Sequence, residues 1–304
     1  MHRMPTSRSS SRSNWFRRAV LGIVIPLVTL SLTACGSESS PSAPSSTTPA
    51  APAAPTVSAL RIDGANALRA GLSSDYTATV TLSNGTTQAV TPTWSSGNSS
   101  VATVDGNGRV SAQSPGQATL TAAYQGASTT KNVSVVANFA GQWSGRYAMK
   151  ACDQSGVFTA IGYCQGLGPV GSTGPITLSL TQGGNDQSDL SGTIAFGALA
   201  GGVSGNVTAD GRMVIGGSFN VVASGVTFSF RVGGWESRLT GPSTMTGRWA
   251  DNLTAVGIPG NAYTENELQT MTRTSSAAAP AAPARTATLK WADLFASMRQ
   301  PQMR

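Results

Sequence analysis

The 304 residues carry 20 Lys and Arg against 13 Asp and Glu, with one histidine and three cysteines. Five of the arginines (Arg3, Arg8, Arg12, Arg17, Arg18) and the histidine, His2, precede an apolar run near the N-terminus, so the chain left after its removal has 15 basic and 13 acidic residues. A balance of +2 gives no argument for nucleic-acid binding, and a chain without histidine has no Ser-His-Asp triad and no histidine metal site.

The apolar run "AVLGIVIPLVTLSL" (Ala19–Leu32) is interrupted by Pro26 and is shorter than the ~20 residues that span a bilayer, so it reads as the core of a signal peptide. It closes on Leu32-Thr33-Ala34-Cys35, which resembles the bacterial lipobox. The resemblance implies a signal peptide over 1–34, acylation of Cys35 and a membrane anchor. Gly36 stands where an aspartate would signal inner-membrane retention, so the resemblance favours the outer membrane, on either side of it. Several acyl chains hold a protein durably where one holds it marginally. Residues 35–56, "CGSESSPSAPSSTTPAAPAAPT", continue as a Ser/Pro/Ala linker unable to bury a core.

From Val57 the chain turns to short alternating runs broken by Asn84-Gly85 and Asp105-Gly106, both hairpin signals. Trp94-Ser95-Ser96, Val101-Ala102-Thr103-Val104-Asp105, Gly108-Arg109-Val110 and Pro115-Gly116-Gln117-Ala118-Thr119-Leu120 resemble the bacterial immunoglobulin-like group 2 family, found in intimin- and invasin-type adhesins. That implies a β-sandwich over 57–136, a spacer or adhesive module, with Trp94 expected at its core among Val101, Val104, Val110 and Leu120.

Residues 138–273 repeat a pattern of apolar, small, glycine, any, apolar: "WSGRY" (143–147), "LSGTI" (190–194), "VSGNV" (203–207), "IGGSF" (215–219) and "MTGRW" (245–249). Positions i, i+2 and i+4 share one strand face, so every central glycine is expected on the apolar face, where the sheet bends. With "ITLSLTQ", "VTFSFRV" and the Asp210-Gly211 turn, this predicts an antiparallel meander of seven to nine strands closing into a barrel. Gly141-Gln142-Trp143 and the glycine rhythm resemble lipocalin and avidin barrels, without a matching set of ligand contacts. Closure is expected to bring Trp143 and Trp249 together inside, and Trp235, off the repeat frame, to a rim open to a ligand. Cys152 and Cys164, too widely spaced for a redox pair, are expected to form a structural disulfide in an oxidising compartment.

Residues 274–304 comprise an Ala/Pro linker and "TLKWADLFASMRQ", in which Trp291, Leu294, Phe295 and Met298 share one helical face. The whole chain therefore reads as all-β, a sandwich followed by a barrel, with linkers and a short terminal helix. The expected role is a non-catalytic envelope lipoprotein whose stalk presents the barrel for adhesion or for a glycan, small apolar ligand or envelope protein. No cofactor, metal or nucleic acid is expected. The alternatives are a plain spacer, or a glycan hydrolase drawing on Asp210, Glu236, Asp251, Glu265 and Glu267, since carboxylate pairs need no histidine.

Overall fold

The computed structural model describes residues 53–278 and Thr288–Leu289, so Cys35 and the amphipathic segment after Lys290 lie outside the described residues. Ten short strands come first: β1 (Val57–Asp63), β2 (Ala67–Arg69), β3 (Ser73–Asp75), β4 (Thr77–Leu82), β5 (Thr87–Val90), β6 (Thr93–Ser96), β7 (Ala102–Val104), β8 (Arg109–Ala112), β9 (Gly116–Tyr124) and β10 (Ala127–Val136). They assemble as β1-β4-β5, β2-β10-β9-β6 and β3-β8-β7 around one core that includes Ile62, Tyr76, Val110, Leu120 and Val133. Both predicted turns form. Gly85 takes a positive φ in the β4–β5 hairpin, and Asp105 Oδ1 accepts the backbone N–H groups of Asn107 and Arg109, both at 2.9 Å. Trp94 is only partly buried at the margin of this core. Tyr76 takes the central aromatic position instead, its hydroxyl donating to Ala65 O at 2.6 Å.

Eight longer strands follow: β11 (Gly141–Gln154), β12 (Thr173–Gly183), β13 (Asp189–Phe196), β14 (Leu199–Val207), β15 (Arg212–Ala223), β16 (Val226–Gly241), β17 (Thr244–Ala255) and β18 (Ile258–Ser275). Each pairs antiparallel with the next. β18 pairs with β11, and β14 with β15, so the meander closes on itself as an eight-stranded barrel. Closure rests on the repeated glycines. A Cβ on Gly145, Gly192, Gly205, Gly217 or Gly247 would lie 2.2, 1.9, 2.0, 2.1 or 2.4 Å from a carbonyl oxygen of the neighbouring strand. None of the five needs a positive φ, so the requirement is room for backbone to approach backbone where the strands coil inward.

The barrel has a near end, where the chain enters from the sandwich, and a far end. At the near end Gln182 holds the connection. Its Oε1 accepts from Phe139 N at 2.8 Å and its Nε2 donates to Ala137 O at 2.9 Å. At the far end residues 155–172 fold in as a plug carrying two short helices, α1 (Val157–Ala160) and α2 (Tyr163–Leu167). Phe158 and Tyr163 are buried, and Phe158 packs edge-on against Phe228 of β16. Cys164 of α2 is joined to Cys152 of β11. A last pair of residues, β19 (Thr288–Leu289), lies parallel to Val222 and Ala223 of β15.

Two replacements test the glycine requirement. Gly192→Ala forces a methyl into the Ser179 carbonyl and is expected to cost about 1–3 kcal/mol in urea unfolding, or to prevent folding. Gly183→Ala, at the end of β12 with open space around it, is expected to be close to neutral. Removing the disulfide with paired Cys152→Ser and Cys164→Ser should lower stability by about 3 kcal/mol, the cost of an unclosed loop of this length.

Candidate functional site

The barrel interior is packed with aromatic rings. Trp235 and Trp249 stack at 4.5 Å with planes 15° apart, Trp249 stacks on Phe196 at 5.6 Å, and Tyr147 meets both Trp249 and Phe196 edge-on. Phe230 joins Phe196 and Phe219. This corrects two expectations. Trp235 is not at a rim: it is 0% exposed, and its Nε1 donates to the buried Ser237 hydroxyl at 2.9 Å. The cause is a β-bulge at Gly233-Gly234, where Gly234 adopts φ +59°. Val232 and Trp235, three residues apart, both face inward because the bulge absorbs the odd residue.

Trp143 does not stack on Trp249 either. β11 and β18 are neighbours as expected, but Trp143 pairs in register with Arg273 and Trp249 with Asn266, well along β18. Trp143 therefore sits at the near end. Its Nε1 donates to Phe139 O at 2.8 Å, and the Arg273 guanidinium lies 4.6 Å over its ring.

Among these rings lies one carboxyl group, that of Asp251 on β17. It faces inward with Thr264 and Asn266 of β18, and Asn266 Nδ2 donates to Asp251 Oδ2 and to Thr264 Oγ1, both at 2.8 Å. Burial pushes the Asp251 carboxyl up to about 7, against the pull of hydrogen bonds from Thr264, Trp249 and Asn266. Trp249 Nε1 points close enough to exert that pull but makes no bond of normal geometry. Burial first, and then the Asp251 charge, raise the phenols of Tyr147 and Tyr163. The space beside these groups is about 30 Å³, room for a water or two, and the plug residues Tyr163 and Leu167 line one side of it.

The outer wall differs. Cross-strand register places Glu236 of β16 beside Arg248 of β17, and Arg248 beside Glu267 of β18. Arg212 links Asp210, 3.0 Å away, to Glu236, 3.2 Å away, and Arg238 reaches Asp210 at 2.6 Å. Lys150 contacts Glu267 at 2.7 Å, while Glu265 accepts from the Tyr263 hydroxyl at 3.3 Å. A hydrogen bond from Thr208 and the two arginines hold the Asp210 carboxyl down at about 2. These groups surround a hollow of about 800 Å³ where the bulge and Gly247 bare the sheet surface. Arg248 is its most exposed arginine, with 80% of its side chain in solvent and Glu236 3.9 Å away.

Of the five carboxylates read from the sequence, Glu236, Glu265 and Glu267 thus border one hollow and Asp210 joins it through Arg212. Asp251, the one with a raised pKa, lies on the opposite face of the same wall. The sequence offered one signal for the inward turn of Trp235, the Gly-Gly pair before it. The arginine ladder had none, because it depends on register between strands distant in sequence.

Residues 57–136 match the family model of the bacterial Ig-like domain (group 2). No curated protein matches the chain. Among solved structures, surface layer protein SbsC, domains 4–9, shares 12% identity over 70% of this chain and 31% of its own, with a TM-score of 0.25. Domains 1–6 of the same protein share 14% over 67% and 23%, with a TM-score of 0.28. The chain spans less than a third of these two structures, and likenesses this slight carry no argument about it.

Asp251 makes stability depend on pH in a defined direction. A carboxyl at about 7 when folded and near 3.8 when unfolded binds its proton more tightly in the fold, so its contribution is complete below pH 4. It is lost progressively as pH rises to about 7, on the order of 4 kcal/mol in all. Urea unfolding at pH 5 and pH 8 is expected to show this fall, and Asp251→Asn to flatten it. An unchanged slope in Asp251→Asn would mean that the carboxyl is solvated.

Proposed function

We propose that the mature chain is a lipid-anchored, non-catalytic protein of the cell envelope, in which the immunoglobulin-like module carries the barrel and the barrel binds through its charged outer wall. The observation that carries the reading is the contrast between the two faces of that wall. Inside, the aromatic stack leaves about 30 Å³, too little for a lipid or cofactor. Outside, alternating arginine and carboxylate side chains surround about 800 Å³. Such a surface suits a polar, partly acidic partner, an envelope glycan or protein, rather than an apolar small molecule. Glycan hydrolysis is disfavoured because the carboxylates of the hollow are held by Arg212, Lys150 and Tyr263, while the carboxyl suited to acid catalysis is buried inside beside a space too small for a sugar. The anchor is supported by the lipobox-like Leu32-Thr33-Ala34-Cys35.

Fatty-acid labelling is expected to mark the native chain and spare Cys35→Ala, which should be released from membranes. Equal labelling of both sinks the anchor. The released protein is expected to sediment with isolated envelope fractions at low salt. Arg248→Glu should weaken that association several-fold without moving the melting temperature, since the side chain is exposed. Association insensitive to both salt and Arg248→Glu would place the binding surface elsewhere.

A further inference from the structure

The outer wall of the barrel carries a second hollow, of about 600 Å³, bordered by Ser204, Gly216, Ser218, Arg231 and Gly233. It adjoins the hollow of about 800 Å³ at the bulge, since Gly233 lines one and Gly234 the other. Register shows what joins them. Ser204 of β14 pairs with Gly216 of β15, Gly216 stands opposite the Gly233-Gly234 bulge of β16, and Gly233 pairs with Ala250 of β17. Four neighbouring strands thus present nothing larger than serine along one line that runs across them. At ~4.8 Å between strands this line is roughly 14 Å long. β18 ends it with Glu265, the partner of Ala250.

The line is the floor of a valley with two banks. On the side of the barrel's far end, Ser218, Arg231, Asn252 and Tyr263 follow one another in register, and on the other side Glu236, Arg248 and Glu267 do. Arg231 pairs with Asn252, four residues from Arg248 along β17, so the two arginines stand on opposite banks roughly 13 Å apart. Both are exposed. Among the described residues Arg231 has no ion pair. Arg248 has only the 3.9 Å contact with Glu236, a carboxylate already held by Arg212 at 3.2 Å. The other cations of the banks are paired, Lys150 with Glu267 and Arg238 with Asp210.

Two uncompensated guanidiniums above a floor of glycine, serine and alanine suit a chain that carries acid groups and lies flat. An extended peptide gains nothing here, because each of the four strands is paired on both sides along the floor and offers no free edge to extend. A helix gains little from a floor with so little apolar area. The banks instead supply guanidinium, amide and hydroxyl groups, the partners that sugar hydroxyls and acid groups take up.

We propose that this valley binds a linear acidic glycan laid across β14–β17, its carboxylates held by Arg231 and Arg248 and its sugar faces resting on Gly216, Gly233 and Ala250. The inference rests on the reading of the charged outer wall as the binding face, and narrows the partner to one ligand class. Glu265, and Asp153 beside Tyr263, repel acid groups at the β18 side and confine the glycan to the other four strands.

The full mature chain is titrated calorimetrically with a linear oligogalacturonate, with the same oligomer fully methyl-esterified, and with monomeric galacturonate. The oligomer is expected to bind, more weakly as salt rises, and the ester and the monomer to bind at least several-fold less tightly. Arg231→Gln and Arg248→Gln should each weaken binding several-fold. Gly233→Leu puts a side chain into open space on the floor and should abolish binding with the melting temperature unchanged. Arg109→Gln, which removes a charge from the sandwich, should leave binding as it was. No binding of the oligomer, equal binding of its ester, or full binding by Gly233→Leu overturns the proposal. The same variants separate it from the wider reading. Envelope association that falls with Arg248→Glu but not with Arg231→Gln or Gly233→Leu, or that is lost when the envelopes are treated with protease, makes the wall a protein-binding face and overturns the glycan alone. Association indifferent to all three variants overturns both.

Discussion

Everything in the second half of this protein depends on how closely one strand's carbonyl can approach the next strand's Cα. At five strand positions that approach leaves no space for a methyl group, and glycine occupies all five. Coiling the sheet this tightly gives an eight-stranded barrel whose bore is filled by single layers of side chains. The same glycines that allow closure thus remove the interior volume that a ligand would need.

The interior then sets its own electrostatics. Trp235, Trp249, Phe196, Phe230 and Tyr147 form a low-polarity stack, and Asp251 is placed within it beside Asn266, Thr264 and the edge of Trp249, with the phenols of Tyr147 and Tyr163 near enough to feel its charge. Hydrogen bonds offset part of the desolvation and leave the carboxyl near neutrality rather than fully ionised. The barrel exterior meets the opposite condition. There, Arg212, Arg238 and Arg248 interleave with Asp210, Glu236 and Glu267 on adjacent strands, solvated and mutually compensated, so the wall carries both signs of charge.

The two ends of the barrel are closed by different means. At the near end a single buried glutamine, Gln182, satisfies the backbone of the entering chain, and Arg273 lies over Trp143. At the far end the polar clamp is Gln154, whose Oε1 accepts from Cys164 N at 2.8 Å, with the Ser155 hydroxyl donating to Asn261 Oδ1 at 2.7 Å. A plug of two short helices is pinned by the Cys152–Cys164 bridge and by Phe158 and Tyr163 packing downward, which leaves apolar side chains on its outer surface. Covalent closure is the reasonable device where the segment is too short to bury much of its own area.

Much of this was legible in the sequence because it is periodic. The alternation of residues 57–136, with Asn84-Gly85 and Asp105 at the turns, specified a sandwich, and the five glycine repeats specified a curved antiparallel sheet. These are local properties, set by a period of two and by turn chemistry. What lay beyond reach was register. Tyr76 rather than Trp94 centres the sandwich, Trp143 and Trp249 fall in different layers, and Trp235 turns inward at a bulge. Each outcome depends on how far one strand is shifted against another. The sequence by itself determined which residues form strands and, wherever the alternation runs unbroken by a bulge, which face inward. Only the tertiary structure decided which of them meet, because a barrel's stagger is a property of all eight strands closing together and is written in none of them singly.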